Sequence, residues 1–251
     1  MNKFLFVDLD DTLFHSLAKC DPNEELQPIA FLKDGSANSY TNRRQRAFLD
    51  LVGEGMTLIP TTARDRDALA RVDYPFSHYR IIDFGGIILA PDGTPDPVWL
   101  ARMGDDMATA LPGLRQVQEA IGDYARRAGI PARVRLVEDL GLPFYVNVKD
   151  PDKDLARLDA IEREAVEPWL ATAAGRDYCL HRNGNNLAVL PKRLNKARAV
   201  DYLQARLRDA HGAIMTFGMG DSRSDARFMA ACDYAIIPRG TQLSALALEA
   251  L

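Results

Sequence analysis

Acidic side chains at the ends of apolar runs are the first residues of this sequence whose types and spacing could do chemistry. The run Phe4-Leu5-Phe6-Val7 stops at Asp8-Leu9-Asp10-Asp11-Thr12. In extended backbone Asp8 and Asp10 would point to one side, about 7 Å apart along the chain. Each like-charge contact at about 4 Å costs on the order of 4 kcal/mol at an effective dielectric of about 20. Carboxylates held close, with a phosphate dianion beside them, therefore require a cation or a retained proton. A second acidic pair lies in Phe217-Gly218-Met219-Gly220-Asp221-Ser222-Arg223-Ser224-Asp225, which follows an apolar run and enters a helical pattern. Asp221 would sit at the strand tip, with Asp225 facing back towards it from the first helical turn. Oxygen-only ligands with a phosphate nearby suit magnesium.

Two further segments suit an anion. Thr61-Thr62-Ala63-Arg64 ends another apolar run at a helix start, where a hydroxyl and backbone amides can hold phosphate oxygens. Pro60 ends or bulges that strand and keeps Thr61 in competition with Thr62, which fits better by its distance to Arg64. Lys196, in Leu194-Asn195-Lys196-Ala197, would begin a helix against the dipole, which calls for a carboxylate or phosphate partner. Taken singly, such residues are more often caps, turns or surface groups; the signal lies in their combination and order.

The elements that must position them alternate short apolar runs with amphipathic stretches, the pattern of a parallel sheet with crossover helices. Strands are expected over residues 3–8, 56–62, 79–84, 213–217 and 234–237, and helices over 43–54, 195–209 and about 225–231, with a last helix to finish. Ligands of open parallel sheets bind outside the carboxyl ends of the strands, where these acidic residues fall. Between the two halves the order becomes helix 98–127, interrupted at Pro112 and Gly113, strands 133–137 and 144–148, helix 152–173, and strands 178–181 and 187–190. Strands paired through short polar turns imply an antiparallel sheet with helices on one face. The expected fold class is α/β, a doubly wound, Rossmann-like parallel-sheet core over residues 1–90 and 191–251, with an inserted α+β cap domain over 91–190. Residues 12–40 are long for one βα connection, and the 29–32 run before Lys33-Asp34-Gly35 suggests an additional hairpin.

Composition narrows the partners. A chain of 251 residues with 47% hydrophobic side chains can bury a real core. Its net charge of -4 comes from 31 basic and 35 acidic residues mixed along the chain, so no basic stripe recommends nucleic acid. No apolar run approaches the roughly 18 residues a membrane span needs, so no membrane partner is expected. Cys20, Cys179 and Cys232 are odd in number and lack metal-ligand spacing, which suggests free thiols and a cytoplasmic location. His15, His78, His181 and His211 form no metal-ligand pattern either.

In this order, Asp-x-Asp-x-Thr from Asp8, Thr62, Lys196 and Gly-Asp-x-x-x-Asp from Gly220 resemble the four motifs of the haloacid dehalogenase superfamily. The insertion is similar to a minimal C2B cap, as in Cof-type, sucrose-phosphate and mannosyl-3-phosphoglycerate phosphatases and one group of phosphomannomutases. The resemblance implies an Mg2+-dependent phosphatase acting on a small phosphorylated metabolite, a sugar phosphate or a relative of one. It makes Asp8 the nucleophile that forms an aspartyl-phosphate and Asp10 the general acid, then base. Thr62 and Lys196 would bind the phosphoryl oxygens, and Asp8, the Asp10 carbonyl, Asp221 and Asp225 would surround the metal. Arg64 is a candidate contact for phosphate or cap. Arg182 and Asn183, in the donor-rich turn His181-Arg182-Asn183-Gly184-Asn185-Asn186, are candidate substrate contacts of the cap. Phe84-Gly85-Gly86 departs from the Asn-Gly-Ala frequent in Cof-type relatives. A phosphomutase with the same nucleophile and a non-catalytic binding protein on the same fold are the alternatives. A nucleotide-binding oxidoreductase is disfavoured, because Gly218-Met219-Gly220 lacks the third glycine of a dinucleotide fingerprint. Oligomeric state leaves no local signature.

Overall fold

Strand β1 (Asn2–Val7) is built from Phe4, Leu5, Phe6 and Val7, each at most 2% exposed. An apolar run without alternation is how a strand covered on both faces reads. The computed structural model describes residues 1–249. After β1 come β2 (His15–Ser16), β3 (Leu26–Phe31), β4 (Ala37–Asn42), α1 (Arg43–Gly55), β5 (Thr57–Pro60), α2 (Arg66–Leu69), β6 (Arg80–Ile82), β7 (Ile87–Leu89) and α3 (Pro97–Arg127). Then follow β8 (Arg133–Asp139), β9 (Leu142–Lys149), α4 (Leu155–Ile161), α5 (Glu167–Leu170), β10 (Tyr178–Asn183) and β11 (Asn186–Pro191). The chain ends with α6 (Lys196–His211), β12 (Ile214–Met219), α7 (Arg223–Ala230), β13 (Tyr234–Ile236) and α8 (Gln242–Glu249).

Met1–Leu100 with Asn195–Leu251 forms one unit and Ala101–Leu194 the other. In the first, a parallel sheet runs β13-β12-β1-β5, the α/β core expected from the sequence. Register decides what meets at its edge. Val7 lies opposite Met219 on one side and Pro60 on the other, so the residues that follow each strand emerge side by side.

The third parallel strand expected over 79–84 is instead the short β6, paired antiparallel with β7 and joined to the main sheet by one parallel bridge, Thr61 to Ile81. Pro60 explains this. The Thr61 amide donates to Val7 O and the Thr62 amide to Ile81 O, so the neighbouring strand on the Ile81 side faces Pro60, which has no N–H to give. The extra hairpin is present as β3 and β4, with β2 on the free edge of β4. Its turn is closed by the Asp34 carboxylate, which accepts from the Ser36 amide and hydroxyl.

The second unit holds an antiparallel sheet of order β10-β11-β9-β8. Helix α3 is not interrupted at Pro112 and Gly113. Met103, Met107, Ala110, Leu114, Val117 and Ile121 are buried at helical spacing on both sides of the proline, and this continuous stripe outweighs one missing N–H. Gly113 leaves room for the Tyr178 ring, whose hydroxyl donates to Ala110 O at 2.6 Å. The helix expected over 152–173 contains a π-turn at Glu162–Val166, just before Pro168, which cannot donate to the carbonyl four residues back.

The units divide after Leu100 and Leu194 rather than after residues 90 and 190. The first turn of α3 stays with the first unit because the Trp99 indole donates to Gly85 O at 3.0 Å and its ring lies 5.1 Å from that of Tyr202. Asp96, ahead of that turn, accepts from the Trp99 amide, the Tyr202 hydroxyl and the Arg206 guanidinium. Residues 191–194 stay with the second unit, where the Lys192 amide donates to Asp177 O and Arg193 pairs with Asp106. Among the described residues no helix is long and apolar enough to cross a membrane, and the three cysteines are free thiols.

Candidate active site

The chain stops being extended immediately after β1. Leu9 O accepts from the amides of Leu13 at 2.9 Å and of Thr12 and Phe14 at 3.3 Å, and Asp11 adopts a left-handed φ of 64°. The turn begins between Asp8, which is still in the ladder, and Asp10, which lies beyond it. The Asp8 amide still donates to Met219 O at 2.9 Å, and Asp8, 7% exposed, is buried with its carboxylate against Lys196 and Thr12. The Asp10 carboxylate turns to Arg64 instead.

Lys196 organises the buried charge. Asn195 caps α6 by accepting from the Arg198 amide, which sets Lys196 at the first helical position. Its Nζ donates to Asp8 Oδ1 at 2.6 Å and to Asp225 Oδ1 at 2.7 Å. These are the anionic partners that its place against the helix dipole called for. Burial works against the ammonium, but Asp225 and Asp8 more than offset it, and the Lys196 pKa is raised. Asp225 is pushed up by burial and pulled down further by Lys196 and by Ser222, ending below its ordinary value. Asp8, with burial its largest influence, is raised well above the usual carboxylate range despite Lys196.

Asp225 is fixed by a capping box. Its second oxygen accepts from the Ser222 hydroxyl at 2.5 Å and the Ser222 amide at 3.2 Å. Ser222-x-x-Asp225 is legible as a helix start but carried no functional signal by itself. Gly220 is required by approach: a Cβ there would fall 2.4 Å from Asp225 Cβ. Asp221 lies beside this group, and burial followed by the charges of Asp225 and Asp11 pushes its pKa up to about 6. The Thr12 hydroxyl lies 3.5 Å from Asp8 Oδ2 and 3.3 Å from Asp221 Oδ1, linking the first and last motifs. Thr12 is thus a site residue read in the sequence only as part of a motif.

One carboxylate oxygen each from Asp8, Asp221 and Asp225 lies within 4.8 Å of the others. Three converging hard oxygens, two of them on groups whose ionisation the fold opposes, fit a small divalent cation. The Asp10 carboxylate is not among them.

Thr61 and Thr62 are now told apart. The Thr61 hydroxyl, fully buried, donates back to Ile59 O at 3.2 Å, whereas Thr62 Oγ1 accepts from the Arg64 amide at 3.1 Å in the loop beyond the strand. Arg64 sends Nε and Nη2 to the two oxygens of Asp10, each at 2.7 Å, and Nη1 to Ala68 O at 3.3 Å. Its guanidinium, considered from sequence for phosphate or cap, is engaged on Asp10. Arg182 and Asn183 lie at the end of β10 in the other unit, and Arg182 there donates to Asp159 at 3.0 Å. The neighbouring Asn185 ties the turn to the backbone of Asp150 on both its amide atoms, a structural duty for part of that donor-rich segment.

A parallel sheet with three of these motifs beyond its strand ends, and the Lys196 motif brought to them at the start of α6, is the haloacid dehalogenase type of fold, and the resemblance read from the sequence is borne out. Residues 155–246 match the family Sucrose-6F-phosphate phosphohydrolase. The structure is similar to the sucrose-phosphatase of Synechocystis sp., solved with sucrose and phosphate, at 19% identity and TM-score 0.56, covering 100% of this chain and 88% of that one. It is also similar to the C-terminal domain of trehalose-6-phosphate phosphatase from C. albicans, at 14% identity and TM-score 0.59, covering 92% and 73%. A Thermoplasma acidophilum protein aligns at 12% identity and TM-score 0.51, covering 99% and 98%. No curated protein sequence matches the chain significantly.

Proposed function

We propose that this protein is a magnesium-dependent phosphatase that hydrolyses a sugar phosphate through an aspartyl-phosphate on Asp8. The observation that carries the reading is the group of Asp8, Lys196 and Asp225, all buried, with the half-buried Asp221, assembled at the ends of parallel strands from opposite ends of the chain. Such a site offers a carboxylate nucleophile and fixed countercharge, which are the main needs of phosphoryl transfer. Asp8 attacks phosphorus and the ester oxygen leaves. Lys196 and the Thr62 hydroxyl bind phosphoryl oxygens; Asp10 gives a proton to the departing alkoxide and then takes one from a water that attacks phosphorus, releasing phosphate and the free Asp8 carboxylate. Asp8, Asp221 and Asp225, with the Asp10 carbonyl, would hold Mg2+, which when bound neutralises phosphate and carboxylate charge.

The choice of a sugar phosphate draws on the family match over residues 155–246 and on the named phosphatases of similar fold. The cap, residues 91–190 in the sequence reading, is where the leaving group would be chosen, with Arg182 and Asn183 as its candidate contacts; a cytoplasmic location fits a metabolite substrate. Phosphate release should be followed from sucrose-6-phosphate, trehalose-6-phosphate, hexose phosphates and nucleotides, with magnesium, with chelator, and with Asp8→Asn. Magnesium-dependent release from a sugar phosphate, absent in Asp8→Asn, is expected. Release that survives Asp8→Asn would sink the assignment of the nucleophile, and a preference for nucleotides would sink the substrate class.

A further inference from the structure

Asp10 is placed to move protons, yet its position is unlike that of Asp8. It lies beyond the end of β1, its side chain is 43% exposed, and it precedes a residue with a left-handed φ of 64°. Nothing in such a location fixes the plane of a carboxylate, which rotates about two side-chain torsions. Arg64 supplies what is missing. It is only 12% exposed, and its Nε and Nη2 meet the two Asp10 oxygens at 2.7 Å each, a fork-to-fork pairing that sets both direction and plane.

Arg64 is itself fixed on every side. Its amide donates to Thr62 Oγ1 at 3.1 Å, and its carbonyl accepts from the Asp83 amide at 2.9 Å. Nη1 donates to Ala68 O at 3.3 Å, and the guanidinium carbon lies 5.2 Å from the centre of the Phe14 ring. Three of its five N–H groups, one on each guanidinium nitrogen, are committed in this way, two of them to Asp10. We propose that Arg64 is the positioning residue for Asp10, holding its carboxylate in register with Asp8 and transmitting to it the placement of the Thr62 loop. The inference rests on the phosphatase reading and deepens it, because it assigns Arg64 to the proton-transfer group and not to phosphate or leaving group.

The test uses the full chain and the sugar phosphate hydrolysed best in the panel above. In Arg64→Gln, kcat should fall by about 10- to 100-fold, the scale of losing alignment of an acid-base group, while KM stays within about twofold. Arg64→Lys, which keeps the charge but not the fork, should recover only part of the loss, and it also serves if Arg64→Gln does not fold. Asp10→Asn/Arg64→Gln should be no slower than Asp10→Asn, because Arg64 acts only through Asp10. A KM rise of tenfold or more with kcat retained, or losses that multiply in the double variant, would overturn the proposal and give Arg64 to the substrate. An unchanged kcat in Arg64→Gln overturns it as well. A readout independent of turnover separates this failure from failure of the phosphatase reading. In a crystal structure of Arg64→Gln the Asp10 carboxylate should move or lose order while Asp8 and Lys196 keep their places. An unmoved Asp10 refutes the positioning role even if no substrate is ever hydrolysed, whereas an inactive wild type with a displaced Asp10 counts against the phosphatase reading alone.

Discussion

At the scale of single residues, two aspartates that share Lys196 are stabilised in opposite senses. The fold resists ionisation of Asp8, chiefly by burial, and favours that of Asp225 through Lys196 and Ser222 after burial is overcome. Asparagine should therefore do different things at the two positions. Asp8→Asn removes a charge the metal-free protein holds at a cost, so its melting temperature in chelator should equal or exceed that of the wild type, while turnover should fall by at least about 10^4-fold with the proposed nucleophile gone. Asp225→Asn gives up a charge-assisted bond to Lys196 and should cost about 1–3 kcal/mol of stability in the same buffer. Thermal melting of the two variants side by side checks the argument. If Asp8→Asn melts below Asp225→Asn, the division of charge around Lys196 is wrong.

At the scale of elements, the loop after β6 governs where α6 begins. Asp83, Phe84 and Gly85 all have positive φ, at 51°, 56° and 96°, and a Cβ on Gly85 would lie 2.6 Å from Asn195 O. Both the backbone conformation and the space demand glycine, and the contact is to backbone one residue before Lys196. Gly85→Ala should destabilise the protein by about 1–3 kcal/mol and lower turnover, because relief of the clash displaces the helix start that carries Lys196. A variant with wild-type melting temperature and kcat would show that the loop can yield without moving α6. Much of this scaffold was legible in the sequence. The apolar runs leading to Asp8 and Asp221, the hairpin before α1 and the positions along the chain of the four strands of the parallel sheet all follow from periodicity and turn residues. What was not legible depended on neighbours far along the chain. Pro60 announced a weakened strand, but not that its missing N–H would face β6. Pro112 announced a break that the buried stripe of α3 overrode. Arg64 gave no hint that it would turn to Asp10, because that pairing needs the turn at Leu9 and the Thr62 loop to meet.

At the scale of the whole molecule, the carboxylate cluster links folding to protonation, and under the proposed function to metal binding as well. Asp221 ordinarily loses its proton near pH 4, and in the metal-free fold its pKa stands at about 6. Between these values the native state keeps a proton that the unfolded chain has lost, so the stability contributed by Asp221 is present at low pH and declines as pH rises through about 6. Asp8, raised in the same direction, adds to the decline. A divalent cation held there would reverse the balance, because it would bind the ionised carboxylates and compete with those protons. The rise in melting temperature produced by a fixed millimolar concentration of magnesium should therefore be large at pH 7.5 and should shrink steeply below about pH 6. Chelator should lower the melting temperature of magnesium-loaded protein at neutral pH and change little at pH 5. Asp221→Asn should flatten the decline on the metal-free limb and reduce the magnesium response at pH 7.5. A magnesium-induced shift of equal size at pH 5 and pH 7.5 would mean that the cation binds elsewhere, and that the three converging carboxylates are neutralised by Lys196 alone.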